Sequence, residues 1–196
     1  MKITLSVNLG GYSFHIDEDA YAELKRYLKN LEFHFAGEES SAEILSDIET
    51  RMAELFRAKI TGYKQVITMD DVKEVIKILG TPEDIDNNES GSVRDRFTTP
   101  GYHRIYRDPD HRIIGGVCSG IAAHWAIDPL VVRIIFAALI FAGGLGALVY
   151  IILWIALPEA KTTSEKIEMK GEPVNIQNIK ESVKQEIDNV RKKMKL

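Results

Sequence analysis

The sequence predicts two unlike parts. A small α+β N-terminal domain, a β-hairpin plus three helices, is joined to an α-helical membrane domain with one transmembrane helix and a C-terminal amphipathic helix. Three observations carry this reading. Residues 2–16 alternate apolar and polar side chains around Gly10-Gly11, as paired strands do. Residues 134–157 hold no charged side chain in a chain that is 28% charged, and a run that long and apolar suits a bilayer span. From residue 174 onward the apolar residues step by three or four, the helical spacing.

The averages conceal this division. Of 196 residues, 25 are basic and 29 acidic, a formal net charge of −4. That balance gives no electrostatic reason to expect nucleic-acid binding. A single cysteine excludes an internal disulfide framework and an all-cysteine metal site. By segment, residues 1–90 carry a net −8, residues 91–133 a net +2 with every basic residue an arginine, and residues 158–196 a net +2. The first twenty residues contain no apolar stretch of seven, so no secretory signal is read and the N-terminal region is expected to stay untranslocated.

Within residues 1–85 the strand pattern places Ile3, Leu5, Val7 and Leu9 on one face, then Tyr12, Phe14 and Ile16. Asp17 reads as the N-cap of a helix striped by Ala20, Leu24, Tyr27, Leu28, Leu31 and Phe35. Ser40 with Glu43 reads as a capping box for a second helix, with Ile44, Leu45, Ile48, Met52, Leu55, Phe56 and Ile60 inward. Thr68 caps a third, with Asp70 and Asp71 in its first turn, which stops at Gly80 before Pro82. Residues 86–105 are polar and read as a linker.

The membrane domain is expected over residues 106–158. Residues 113–127 are apolar and rich in small side chains, too short to span, and read as a juxtamembrane helix. Asp128-Pro129 is a good helix start. From there residues 129–157 would make a helix of about 43 Å, longer than the roughly 30 Å hydrocarbon core. Arg133, one turn in, would snorkel toward headgroups, and Tyr150 and Trp154 would form an aromatic belt at the far end. Gly143, Gly144 and Gly146 lie mid-span with small residues four apart, a pattern that either packs against another helix or kinks the span. A re-entrant hairpin turning at these glycines is a further alternative, ranked lower because each half holds too few apolar residues to cross. Counting basic residues on the wider window from Arg94 favours a cytoplasmic N-terminus. Residues 159–173 read as disordered within a tail over residues 159–196. A helix at 174–194 in that tail carries Ile176, Ile179, Val183, Ile187, Val190 and Met194, though Glu186 interrupts a strict heptad.

The motifs Gly-Val-Cys-Ser-Gly-Ile-Ala (residues 116–122), Ile-Asp-Pro-Leu-Val-Val-Arg (127–133) and Trp-Ile-Ala-Leu-Pro (154–158) closely resemble the PspC domain of bacterial phage-shock proteins. The resemblance covers residues 106–159. It implies a bacterial inner-membrane protein of the envelope-stress type that acts through protein contacts. Residues 17–85 more loosely resemble the helical HAAS-type domains that precede membrane segments in bacteria and are often encoded beside PadR-type repressors. That likeness rests on Tyr-Leu-Lys-Asn-Leu, Glu-Ile-Leu-Ser-Asp-Ile-Glu and Val-Ile-Lys-Ile-Leu-Gly-Thr-Pro-Glu-Asp-Ile.

Gly115 to Gly120 lacks the Lys-Ser/Thr of a phosphate loop, so Gly116 and Gly120 read as close-packing positions. Cys118 reads as a packed hydrophobe. His15, His34, His103, His111 and His124 show no metal spacing, and no nucleophile, base and acid cluster in sequence. No cofactor, metal or catalytic residue is expected. The acidic side chains Glu43, Asp47, Glu49 and Glu54 are either a solvated face or the surface for a cytoplasmic partner. Arg104, Arg107 and Arg112 either signal topology or hold anionic headgroups. The expected function is that of a non-enzymatic regulator or adaptor, single-pass with its N-terminus cytoplasmic. Its partners would be the lipid bilayer, a cytosolic regulatory protein of the transcriptional-regulator kind, and further copies of the chain. The alternative is a structural module that oligomerises or stabilises the bilayer without signalling.

Overall fold

Glycine at both Gly10 and Gly11 allows φ angles of 53° and 80°, the two positive values a tight hairpin turn demands. They join β1 (Thr4–Leu9) antiparallel to β2 (Tyr12–Asp17), with Leu9 opposite Tyr12 and Thr4 opposite Asp17. The computed structural model describes residues 3–82, 104–141 and 144–194, and these divide into two units, Met1–Phe97 with Val174–Leu196, and Thr98–Pro173.

In the first unit the hairpin lies against three helices, α1 (Glu18–Phe35), α2 (Ser41–Lys59) and α3 (Met69–Leu79). Each buries the stripe its periodicity predicts: Leu24, Leu31 and Phe35 from α1, Ile44, Ile48, Met52 and Phe56 from α2, and Val72, Val75 and Leu79 from α3. Phe14 of β2 meets Phe56 edge-on at 5.8 Å. A Cβ on Gly10 would stand 2.9 Å from the Ala53 Cβ and from the Glu49 carbonyl, so the turn sits directly on α2. A third strand, β3 (Val66–Ile67), pairs parallel with β2. Two residues are too few for alternation to reveal in sequence.

The helix starts differ in how they are held. Thr68, the expected cap, forms a capping box with Asp71: the Thr68 N–H and hydroxyl both donate to Asp71 Oδ2, at 2.9 and 2.8 Å. Lys64 Nζ adds a bond of 2.7 Å to the nearly buried carboxylate. Asp17 and Ser40 stand at the N-cap positions of α1 and α2, but neither side chain makes a capping bond, which corrects the Ser40/Glu43 box.

The predicted tail is not a separate element. Helix α8 (Ile176–Met194) belongs to the first unit and packs on α2. Ile176, Ile179 and Val183 are buried, whereas Val190 and Met194 stay exposed. Lys180 and Lys184 reach Glu38 at 2.7 and 3.0 Å, and Arg191 pairs with Glu39. An isolated amphipathic helix has no partner for its stripe; here the α1–α2 corner supplies one.

In the second unit the juxtamembrane helix is shorter than expected, α4 (Val117–His124), and residues 159–173 contain a helix, α7 (Thr163–Met169), instead of disorder. The sequence signal for α7 was Thr162 and Glu165, which form a full capping box. The single helix expected over residues 129–157 is instead two, α5 (Pro129–Phe141) and α6 (Leu145–Ala156). Phe136 and Tyr150 lie fourteen residues apart, about 21 Å along one helix, yet their ring centroids are 5.5 Å apart. The chain folds back on itself. Gly144, at φ 77°, adopts the left-handed conformation that ends the turn. Among the described residues no helix is long and apolar enough to cross a membrane. The linker at residues 86–103 and Gly143 lie outside the described residues.

Candidate functional site

The glycine motif of the second unit builds a platform beneath the α5–α6 hairpin. The segment around Arg107 runs parallel to residues 158–160, its N–H donating to Pro158 O at 2.8 Å and its carbonyl accepting from Ala160 N at 3.0 Å. It also passes so close to α4 that only glycine fits opposite. A Cβ on Gly120 would lie 1.8 Å from the Tyr106 carbonyl, and one on Gly116 2.2 Å from that of Asp108. Gly116 has φ 74° besides, and caps α4. The packing role expected of Gly116 and Gly120 is therefore met by backbone against helix. Gly115, not singled out in sequence, faces the Trp154 ring at 2.9 Å from a built Cβ.

Arg107 ties the platform together, with Nε donating to Leu157 O at 2.9 Å and Nη1 to Gly115 O at 3.2 Å. It serves the fold; Arg112, 3.5 Å from Glu159 and more than half exposed, stays at the surface. Tyr106 donates to Glu168 at 3.2 Å. Burial, followed by the charges of Glu168 and Glu165, pushes its hydroxyl up to about 12.

The hairpin rises from this base. Asp128 Oδ1 accepts from Leu130 N at 2.7 Å, and Pro129 is the first residue of α5, so the expected start stands. Arg133 donates to the His111 carbonyl at 3.3 Å. Gly146 lets α6 approach α5: a Cβ there would meet Ile140 N at 2.8 Å and Leu139 at 2.9 Å. The small-residue spacing thus serves a contact within the chain. The fold-back returns Tyr150 and Trp154 to the base, where Tyr150 donates to the Ile114 carbonyl and Trp154 lies over Gly115.

Outward, the hairpin is apolar. Fourteen large hydrophobic side chains between Leu130 and Ile155 are exposed, among them Phe141 at 91% and Ile155 at 80%. Water is a poor solvent for a surface of that kind. The base adds exposed Ile113, Ile114 and Trp125. The described residues hold no group of three or more His, Cys, Asp or Glu placed to bind a metal.

The acidic residues of α2 do not form one face. At 100° per residue, Glu43, Asp47 and Glu54 fall together, while Glu49 lies about 240° from Glu43. Glu43 is exposed and Asp47 half-buried. Glu54 pairs with Arg51 at 3.0 Å. Burial, with Glu32 adding repulsion, raises the Glu49 carboxyl above its usual range.

Residues 103–160, less than a third of the chain, match the PspC domain family. No curated protein and no solved structure matches the chain, and the likeness of residues 17–85 to HAAS-type domains gains no support. The chain therefore carries a PspC domain, and that family is a membrane-associated regulatory one of the phage-shock stress response.

Proposed function

We propose that this protein is a bacterial inner-membrane adaptor of the envelope-stress response, acting through protein contacts. Its PspC hairpin sits in the bilayer, and its first unit lies in the cytoplasm and meets a regulatory protein. One observation carries the reading: a hairpin with no charged side chain beyond Arg133 in its first turns leaves fourteen large apolar side chains exposed. Water is a poor solvent for such a surface, and acyl chains are a good one.

The membrane half is tested by washing membranes that contain the full chain with alkaline carbonate. The parent protein stays in the pellet. A double Leu139→Lys, Leu148→Lys variant changes two exposed side chains, each at about 2.5–3.5 kcal/mol when placed in hydrocarbon, and leaves the pellet. A parent protein that washes off sinks the membrane reading. The partner half is tested by recovering the full chain from solubilised membranes, with and without Glu43→Lys and Asp47→Lys. A transcriptional regulator retained only by the parent supports the adaptor. Self-association alone, indifferent to these changes, favours the structural module.

A further inference from the structure

The hairpin accounts for the path of the chain inside the second unit, but α8 constrains it independently. Ile176, Ile179 and Val183 are at most 1% exposed, so α8 is part of the core that β1, β2 and α1 to α3 build. Lys180 and Lys184 close on Glu38, Arg191 closes on Glu39, and the Lys180 ammonium lies 5.5 Å from the Phe35 ring. A helix so packed stands on the same side of any bilayer as α1 and α2. The chain leaves the first unit after residue 82 and rejoins it at Val174. Whatever it does between, it comes back to the side it left.

The lengths decide how far it goes. With 13 and 12 residues, α5 and α6 are about 20 and 18 Å long, short of the roughly 30 Å core but more than one leaflet of it. Entry without exit requires a turn whose backbone is satisfied in hydrocarbon. Gly144 N donates to Ile140 O at 2.8 Å, and Gly144 O accepts from Ala147 N at 3.2 Å.

We infer that the hairpin is re-entrant: it inserts into a single leaflet, from the side that carries both chain ends, and its partner is the acyl-chain layer of that leaflet. This rests on the membrane reading above and departs from the single-pass topology that the sequence suggests. The first unit is then one soluble domain built from both ends of the chain, with the membrane element inserted between them.

Single cysteines in the full chain, on a Cys118→Ser background, test it with a membrane-impermeant maleimide. Tyr63 and Glu172 are exposed positions before and after the hairpin, and Phe141 is exposed near its turn. With Tyr63→Cys and Glu172→Cys, label appears in inverted vesicles and is lost in intact spheroplasts; with Phe141→Cys, label appears in neither until detergent is added. Residues 63 and 172 labelling in opposite preparations overturns the inference, as does residue 141 labelling from the face opposite residue 63. Residue 141 labelling together with residue 63 in intact membranes sinks the underlying membrane reading. Unfolding curves matching the parent confirm that each variant is folded. Protease added to spheroplasts gives a cysteine-free check: the parent chain survives intact if both ends are inside, and is cut beyond residue 158 if they are not.

Discussion

The first unit and the hairpin of the second solve the same problem for different solvents. Helices α1 and α2 each bury five side chains along one stripe and turn charge outward. Helices α5 and α6 bury one residue each, Val132 and Gly146, and turn their large apolar side chains outward. What distinguishes the regions is where the apolar surface points, and with it where the cohesion comes from. The first unit is held by a dry core; the second by a smaller one around Val117, Ile121, Ala122 and Val132, with glycine-tight backbone contacts and a clamp from Arg107. Substitutions should therefore act by different mechanisms in the two.

The largest effect is expected at Phe56, fully buried against Phe14. Phe56→Ala should cost the first unit about 3–5 kcal/mol in denaturant titration of the detergent-solubilised chain, while the carbonate-resistant fraction stays unchanged. Loss of membrane retention would mean that the regions are not separable. Next comes Gly120→Ala, which forces a methyl group against the Tyr106 carbonyl. It should cost the second unit about 3 kcal/mol, read as proteolysis within residues 104–173, and leave the first unit intact. A tolerated alanine would refute the backbone platform.

Asp71→Asn removes the charge from the box that starts α3 and should cost about 1 kcal/mol. The acid response sharpens this. Burial alone would raise Asp71, but bonds from Lys64 and Thr68 outweigh it and hold the carboxyl below its usual range. Glu38 is likewise lowered, burial being overcome by Lys180 and Lys184. Both contributions are present above the ordinary values of 3.8 and 4.5 and are lost as pH falls through the lower, folded ones. Glu49, raised by burial and Glu32, has the opposite sign: its folded form takes up a proton first, so stability rises slightly as pH falls toward 4.5. A thermal melt series should show a shallow rise and then a decline, and Glu49→Gln should abolish the rise. The smallest effect is at Ala126, the one described non-glycine residue with positive φ, 51°. It occupies the place where glycine usually ends a helix, with Ile127 N bonded to Ala122 O. Ala126→Gly should stabilise the second unit by up to about 1 kcal/mol.

Much of this was legible in the residues. The hairpin at Gly10-Gly11, the inward stripes of α1 to α3, the Thr68 cap and the start at Asp128-Pro129 follow from period, turn chemistry and capping, all of which act within a few positions. The PspC motif was legible as a pattern, but why it needs its glycines was not. Gly116 and Gly120 answer to the carbonyls of Asp108 and Tyr106, which come within reach only when the chain folds back. Grouping Glu49 with Glu43, Asp47 and Glu54 failed for want of helical phase.

The sequence by itself determined which side chains avoid water: stripes in the first region and in residues 174–194, and a whole charge-free run in residues 134–157. Tertiary structure decided what covers each of them. A stripe states that a partner face exists without naming it, so α8 could be placed on α2 only by the packing of Ile179 and Val183 and by three cations meeting Glu38 and Glu39. An apolar run is compatible with one long helix or two short ones, because a left-handed glycine at residue 144 costs little. The contact of Gly146 with Leu139 and Ile140, and of Tyr150 with Phe136, is what favours the turn.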